Sequence, residues 1–99
     1  MNALEKLKKS TTTDNVWLYV LSVLQKEEIH AYALHKEIEK KFNWAPELIT
    51  SYVVLYRIEK EGLIKSEKKG RIKVYTITTK GIKTLKEGKV YLKKLAETI

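Results

Sequence analysis

The hydrophobic pattern begins with a helix that is apolar over most of its surface. Between positions 15 and 26, apolar residues recur at helical spacing. Their main face consists of Val16, Trp17, Val20, Leu21 and Leu24. A helix that carries further apolar residues beyond one face is buried on two sides. We therefore expect its second side to meet another subunit or the terminal helices, and we expect Thr13 or Asp14 to cap its start.

The same spacing predicts two more helices, over Ala31 to Phe42 and over Glu47 to Glu61. The segment 27–30 is interpreted as a connector, and Pro46 suits the first turn of the later helix. In that helix the predicted inner stripe is Leu48, Tyr52, Leu55 and Ile58. Its outer side is then formed by Ile49, Thr50, Val53, Arg57 and Lys60, with Ser51 and Val54 at the edges.

After Gly62, which tolerates the positive φ of a helix end, the period changes to that of β-strands. The strands are predicted over Leu63 to Glu67 and Ile72 to Thr78. The turn between them contains Lys68, Lys69, Gly70 and Arg71. A basic hairpin that follows a helix is typical of the wing of a winged helix-turn-helix.

The two ends of the chain are predicted to be helical. The N-terminal arm carries Leu4 and Leu7 on one side. It is too short to be a stable helix alone, so it must pack against the domain or unwind. The last helix, capped by Thr78 or Thr79, repeats Leu85, Gly88, Leu92, Leu95 and Ile99 at 3-4-3-4 spacing, which is the seam of a short coiled coil. We expect this seam, with Leu18 and Tyr19, to form a dimer interface, although a repeat this short could instead pack on its own domain.

These elements predict an α+β fold, mostly α, with the architecture of a winged helix-turn-helix that carries a two-stranded wing and a C-terminal dimerisation helix. The expected parts are an N-terminal arm (1–13), a DNA-binding domain (14–79) and the dimerisation helix (80–99). The length of 99 residues supports one domain.

Charged residues are unevenly distributed between the two parts of the chain. The segment 1–62 contains nine basic and nine acidic residues, whereas 63–99 contains eleven basic and three acidic ones and carries the whole net charge of +8. A basic half of this kind indicates a polyanionic partner. The alternative is a solvated lysine-rich surface, which would fit the thermophile-like excess of lysine and glutamate.

Several functions are disfavoured by the composition. Without cysteine there is no disulfide and no thiolate metal site, which fits the cytoplasm. His30 and His35 lie five positions apart, off a shared helical face, and no metal site is expected. The apolar runs are too short for a membrane helix. No cofactor is expected, and an enzyme is unsupported because no catalytic constellation occurs at a recognisable spacing.

Several motifs resemble those of PadR-type transcriptional regulators. His-Ala-Tyr-Ala-Leu at 30–34 resembles the family's His-Gly-Tyr-Glu-Leu, and Thr-Ser-Tyr at 50–52 resembles its Thr-x-Tyr. The stretch 55–64 follows Leu-x-Arg-Leu-Glu-x-Glu-Gly-Leu-Ile, and the wing exit at 77–81 follows Leu-Thr-x-x-Gly. The chain departs from the family pattern at Ala31, which replaces a glycine, and at Val53, which replaces a proline. The resemblance implies a homodimer that represses a promoter. Small members of the family can bind aromatic compounds at the dimer centre, which Trp17, Tyr19 and Tyr91 could line here. We expect the protein in the cytoplasm, associated with the nucleoid.

The leading hypothesis is a sequence-specific regulator of double-stranded DNA. The expected DNA-binding residues are Tyr32, Thr50, Ser51, Tyr52, Val53, Arg57, Lys68, Lys69, Arg71 and Lys73. Two alternatives remain open. One is an architectural protein that coats DNA without sequence preference, and the other is a winged helix that makes only protein contacts.

Overall fold

A computed structural model describes residues 1–99 and contains five helices and three strands. In chain order they are α1 (Ala3–Ser10), α2 (Val16–Leu24), β1 (Ile29–His30), α3 (Ala31–Phe42), α4 (Leu48–Lys60), β2 (Ile64–Lys69), β3 (Ile72–Ile77) and α5 (Thr79–Thr98). Three helices, a hairpin and a long last helix confirm the predicted mostly helical α+β fold with a wing.

The sheet has a third strand that was not predicted. The strand order is β1-β3-β2, and both pairs are antiparallel. The segment 27–30 was expected to be only a connector, but Ile29 pairs with Tyr75 and His30 with Val74. A two-residue strand is too short to show a period of its own, and it forms because the open edge of β3 offers backbone donors and acceptors.

The wing is a tight hairpin. Lys69 pairs with Ile72, so the turn consists only of Gly70 and Arg71. Gly70 has a φ of 67°, which glycine adopts without the steric cost that a side chain would bring. The wing therefore carries its cations on regular strands that extend almost to the tip.

The core is built around α2. Its fully buried side chains, Val20 and Leu21, lie in a cluster with residues from α3, α4, the sheet and α5. The second side of α2 meets the terminal helix of the same chain. At Gly88 the two helices approach so closely that a Cβ would lie 3.1 Å from the Trp17 ring and 3.4 Å from Leu18. A methyl group at Gly88 would therefore require these two side chains to move by a few tenths of an ångström.

The inner face of α4 differs from the predicted stripe. Leu55 and Ile58 are buried as expected, but Leu48 and Tyr52 are 50% and 43% exposed. Ser51 is buried in their place, at 4% exposure. The inner side is rotated because the first turn of α4 projects beyond the core, and the small Ser51 lets the helix approach its neighbours.

Two of the predicted helix boundaries need correction. The N-cap of α2 is Asn15, not Thr13 or Asp14, and the Asp14 carboxylate instead accepts from Lys9 Nζ at 2.9 Å. Pro46 lies before the N-cap Glu47 of α4, outside the first turn. The cap of α5 is confirmed at Thr78, whose hydroxyl oxygen accepts from Gly81 N at 3.0 Å, and Gly62 has the expected positive φ, at 84°.

The first half of α5 belongs to the core through Gly81 and Leu85, while its second half, from Lys89 onwards, is exposed. The arm α1 has no buried residue, and Leu4 and Leu7 are exposed. The arm is joined to the core by the Tyr19 hydroxyl, which donates to the Thr11 carbonyl. None of the helices combines the length and the apolar character that crossing a membrane requires.

Candidate nucleic-acid interface

The outward side of α4 is apolar in its first half and basic in its second. Ile49 and Val53 are exposed, Ile49 at 77%, and the helical repeat places Tyr56 and Lys60 in line with them. Arg57 is exposed beside this line. The Lys60 ammonium lies 4.9 Å from the centre of the Tyr56 ring, a distance at which a cation and an aromatic face attract each other.

Two predicted contact residues on α4 are less accessible. Thr50 is half-buried. Ser51 is buried, and its hydroxyl donates to the Glu47 carbonyl at 3.3 Å, so its side chain is absent from the exposed face. Tyr52 and Val53 remain accessible.

Tyr32 projects from the first turn of α3 and is exposed. Its ring lies 4.4 Å from the ring of His30, centre to centre, at an interplanar angle of 34°. This stacking restricts the Tyr32 ring and leaves its hydroxyl available to an outside partner.

The wing presents two lysines directly opposite each other. Lys68 and Lys73 are partners in the ladder, so their side chains leave the sheet on the same face. Tyr75 lies two positions from Lys73 and shares that face, and the Lys73 ammonium is 5.6 Å from its ring centre. Since like charges opposite each other destabilise a hairpin, an anion placed between them would be favoured. Arg71 is exposed at the turn.

Lys69, in contrast, already has a partner within the molecule. Its ammonium donates to the Glu28 carboxylate, at 2.9 Å to Oε1 and 3.1 Å to Oε2. This hydrogen bond and the accompanying charge attraction raise the pKa of Lys69. Glu28 lies just before β1, at the other edge of the sheet, and it compensates one of the positive charges of the wing.

The wing is also fixed to α4 by a carboxylate. Glu59 Oε2 accepts from Ser66 N at 3.1 Å and from Ser66 Oγ at 2.5 Å. The two bonds hold the first half of β2 against the end of α4. Neither Glu28 nor Glu59 was identified from the sequence, because their partners Lys69 and Ser66 are 41 and 7 positions away.

The predicted dimer residues fall into two groups. Leu18, Leu85 and Gly88 pack within the chain between α2 and α5, and Tyr19 packs against Phe42 and Trp44 with ring centres 4.8 Å apart in both pairs. The second group lies at the C-terminal end of α5 and is exposed; it comprises Leu92, Leu95 and Ile99.

The aromatic residues expected to line an effector site are only partly brought together. Trp17 and Tyr91 line one groove of about 210 Å³ between α2 and α5, together with Leu18, Gly88 and Leu92. Tyr19 is absent from that groove. No group of three or more His, Cys, Asp or Glu side chains could hold a metal ion.

Comparison with known proteins identifies the family of this chain. The model of the transcriptional regulator PadR-like family matches residues 20–91. A transcriptional regulator from Clostridium thermocellum is similar in structure, with a TM-score of 0.82 and 26% identity over 90% of each chain. A PadR family regulator from Eggerthella lenta has a TM-score of 0.80 and 26% identity, over 96% of this chain and 87% of its own. A search of the curated proteins gave no significant match.

Proposed function

Since this chain belongs to the PadR-like family of transcriptional regulators, which are DNA-binding winged-helix proteins and not enzymes, we propose that it binds specific DNA sequences as a homodimer. Each subunit places α4 in a major groove and rests its wing on the neighbouring backbone. The observation that carries this proposal is the pair Lys68 and Lys73, which face the same side of a wing that Glu59 fixes to α4.

The contacts divide by chemistry. Lys68, Arg71 and Lys73 are the proposed phosphate contacts of the wing, and Tyr32 adds a hydroxyl donor from α3. The proposed contacts of α4 are Thr50, Tyr52, Val53 and Arg57. Ser51 is left out because it is buried, and Lys69 contributes less than its neighbours because Glu28 already neutralises it.

The proposal of a homodimer rests on apolar surface at both ends of the chain. Leu92 and Leu95 are 39% and 46% exposed on one side of α5, and Leu4 and Leu7 are exposed on α1. Apolar rows of this kind are covered by a partner in stable proteins. Two such subunits would present their α4 helices to half-sites about one helical turn of DNA apart.

The oligomeric state is tested by replacing both Leu92 and Leu95 with Glu and measuring the mass in solution by light scattering. We expect a dimer for the parent chain and a monomer for the variant. Val90→Glu is the matched control, because Val90 is also exposed but lies on the opposite side of α5. A parent chain that is monomeric at all concentrations would contradict the proposed dimer.

DNA binding is tested by fluorescence anisotropy with the DNA upstream of the protein's own gene and with a scrambled duplex, each at two salt concentrations. Replacing Lys68, Arg71 and Lys73 together with Ala should weaken binding to both duplexes. It should also reduce the slope of log affinity against log salt by about 3 per subunit, because each lost phosphate contact releases about 0.9 counterions fewer. Replacing the exposed lysines Lys83, Lys86 and Lys94 of α5 is the control of equal charge.

Each other outcome of this binding experiment points to a different function. Equal binding to both duplexes by the parent chain would favour an architectural protein, for which the lysine excess of residues 63–99 is the supporting observation. Absence of salt-sensitive binding would favour a winged helix that contacts only proteins through the apolar side of α4. An unchanged salt slope in the wing variant would contradict the assignment of the wing.

We further propose that the bound dimer acts as a repressor. A dimer that covers two successive turns of a promoter excludes polymerase from the same DNA. Transcription in vitro from the upstream DNA should therefore fall as the protein is added. A rise in transcription would identify an activator instead.

A further inference from the structure

The base-reading side of α4 offers almost no hydrogen-bonding group. In a helix-turn-helix, the N-terminal residues of the recognition helix contact the base edges. In the first two turns of α4, from Leu48 to Leu55, there is no Arg, Lys, Asn, Gln, Asp or Glu. These are the side chains that pair with guanine, adenine and cytosine in the major groove. The hydroxyl groups available there belong to Thr50, which is half-buried, and Tyr52.

The same two turns expose branched apolar side chains instead. Ile49 and Val53 are one helical turn apart on the outward line of the helix, and both are accessible. The basic residues Arg57 and Lys60 follow on the later turns of the same side. In the major groove the one apolar feature of a base pair is the 5-methyl group of thymine, which is read by apolar contact.

We infer that this protein selects its DNA by the 5-methyl groups of thymine, with Ile49 and Val53 as the residues that determine specificity. The inference rests on the proposed function, because it requires that α4 enters a major groove. Arg57 and Lys60, exposed on the later turns of the same side, supply positive charge for the phosphates next to the bases that are read. The half-site is therefore defined by the positions of its thymines.

The test uses DNA in which only the methyl groups are removed. A preferred duplex is first selected from a random pool at one fixed salt concentration. Every thymine of its half-sites is then replaced by uracil, which keeps all hydrogen-bonding edges. Removing one contacted methyl should weaken binding about fourfold, because burial of a CH₂ group is worth roughly 0.8 kcal/mol. If the dimer contacts two methyls in each of its two half-sites, removing all four should weaken binding about 200-fold. The same replacement outside the half-sites should leave the affinity unchanged.

The protein side of the test completes a double-mutant cycle. The double variant Ile49→Ala with Val53→Ala should bind thymine and uracil half-sites equally, whereas Val90→Ala on α5 should discriminate as the parent chain does. Because Ile49 and Val53 are exposed, truncating them leaves no cavity in the core, and the variant should fold. The uracil experiment does not depend on the variant, since it uses the unaltered protein.

Two results would overturn this inference without contradicting the proposed function. One is equal affinity of the parent chain for thymine and uracil half-sites, and the other is discrimination that persists in the double variant. In both cases the salt-sensitive, sequence-preferring binding would remain, and with it the proposed function. Absence of any preferred duplex in the selection would refute the proposed function, and the inference would fail with it.

Discussion

Gly81 is the position at which a single added methyl group should do most damage. It lies in the first turn of α5, where the wing returns to the core, and it is buried. An ideal Cβ at Gly81 would lie 2.1 Å from the Leu63 carbonyl oxygen and 2.7 Å from Ile77 Cγ1. The first contact is with backbone, so no rotation of a side chain can relieve it.

The magnitude follows from how firmly that carbonyl is held. The Leu63 oxygen accepts from Thr78 N at 3.0 Å, and Leu63 N donates to the Ile58 carbonyl at 2.9 Å. Replacing Gly81 with Ala should cost up to about 3 kcal/mol for overpacking. Distorting the hydrogen bond from Thr78 N to the Leu63 carbonyl should cost about 1 kcal/mol more. The higher helix propensity of Ala relative to Gly stabilises the variant by about 1 kcal/mol. We therefore expect a net loss of about 3 kcal/mol in the free energy of unfolding.

Gly88→Ala is the matched control, because it adds the same methyl group to the same helix. Its nearest neighbours are side-chain atoms, the Trp17 ring at 3.1 Å and Leu18 at 3.4 Å, and these can move by a few tenths of an ångström. The gain in helix propensity is again about 1 kcal/mol, so the stability should stay within about 1 kcal/mol of the parent chain.

The assay is urea and thermal unfolding followed by circular dichroism at one protein concentration. A loss of about 3 kcal/mol should lower Tm by roughly 15 °C in a domain of this size. If Gly81→Ala is no less stable than Gly88→Ala, the result would contradict the close packing of Gly81 against the Leu63 carbonyl.

Three further predictions concern groups that the structure pairs across the fold. Glu28→Gln should release Lys69 for a phosphate and tighten binding to all DNA sequences, most clearly at low salt in an anisotropy titration; unchanged affinity would show that Glu28 does not compete. Ser66→Ala removes a hydrogen bond to Glu59 and should lower stability by about 1–2 kcal/mol in urea unfolding, since this bond is to a charged group; an unaltered midpoint would contradict that. Burial raises the pKa of Tyr19 in the folded chain. As pH rises, the Tyr19 hydroxyl therefore ionises at a lower pH in the unfolded chain than in the folded chain. The parent chain should lose stability as pH rises above about 10, the ordinary pKa of tyrosine. Tyr19→Phe should weaken this loss, and identical pH profiles would refute the assignment.

The sequence by itself determined the parts of this protein that depend on neighbours along the chain. Helical spacing predicted α2 to α5, and strand periodicity predicted the hairpin. Gly62 and Thr78 marked helix ends because φ preference and capping are local properties. The uneven distribution of charge indicated a polyanionic partner. The motifs that resemble those of PadR-type regulators indicated the family, which the family model confirmed.

Only the tertiary structure decided which of these residues are free to act. Ser51 has the hydroxyl of a DNA contact, yet the packing of α4 buries it. Lys69 belongs to the basic turn by sequence, but Glu28 from the far edge of the sheet pairs with it. The leucine repeat of α5 reads as one seam, whereas its first half packs inside the chain and its second half is left exposed. The strand β1 exists only because β3 has an open edge beside it. Each of these depends on contacts between distant segments, which the local period of a sequence does not encode.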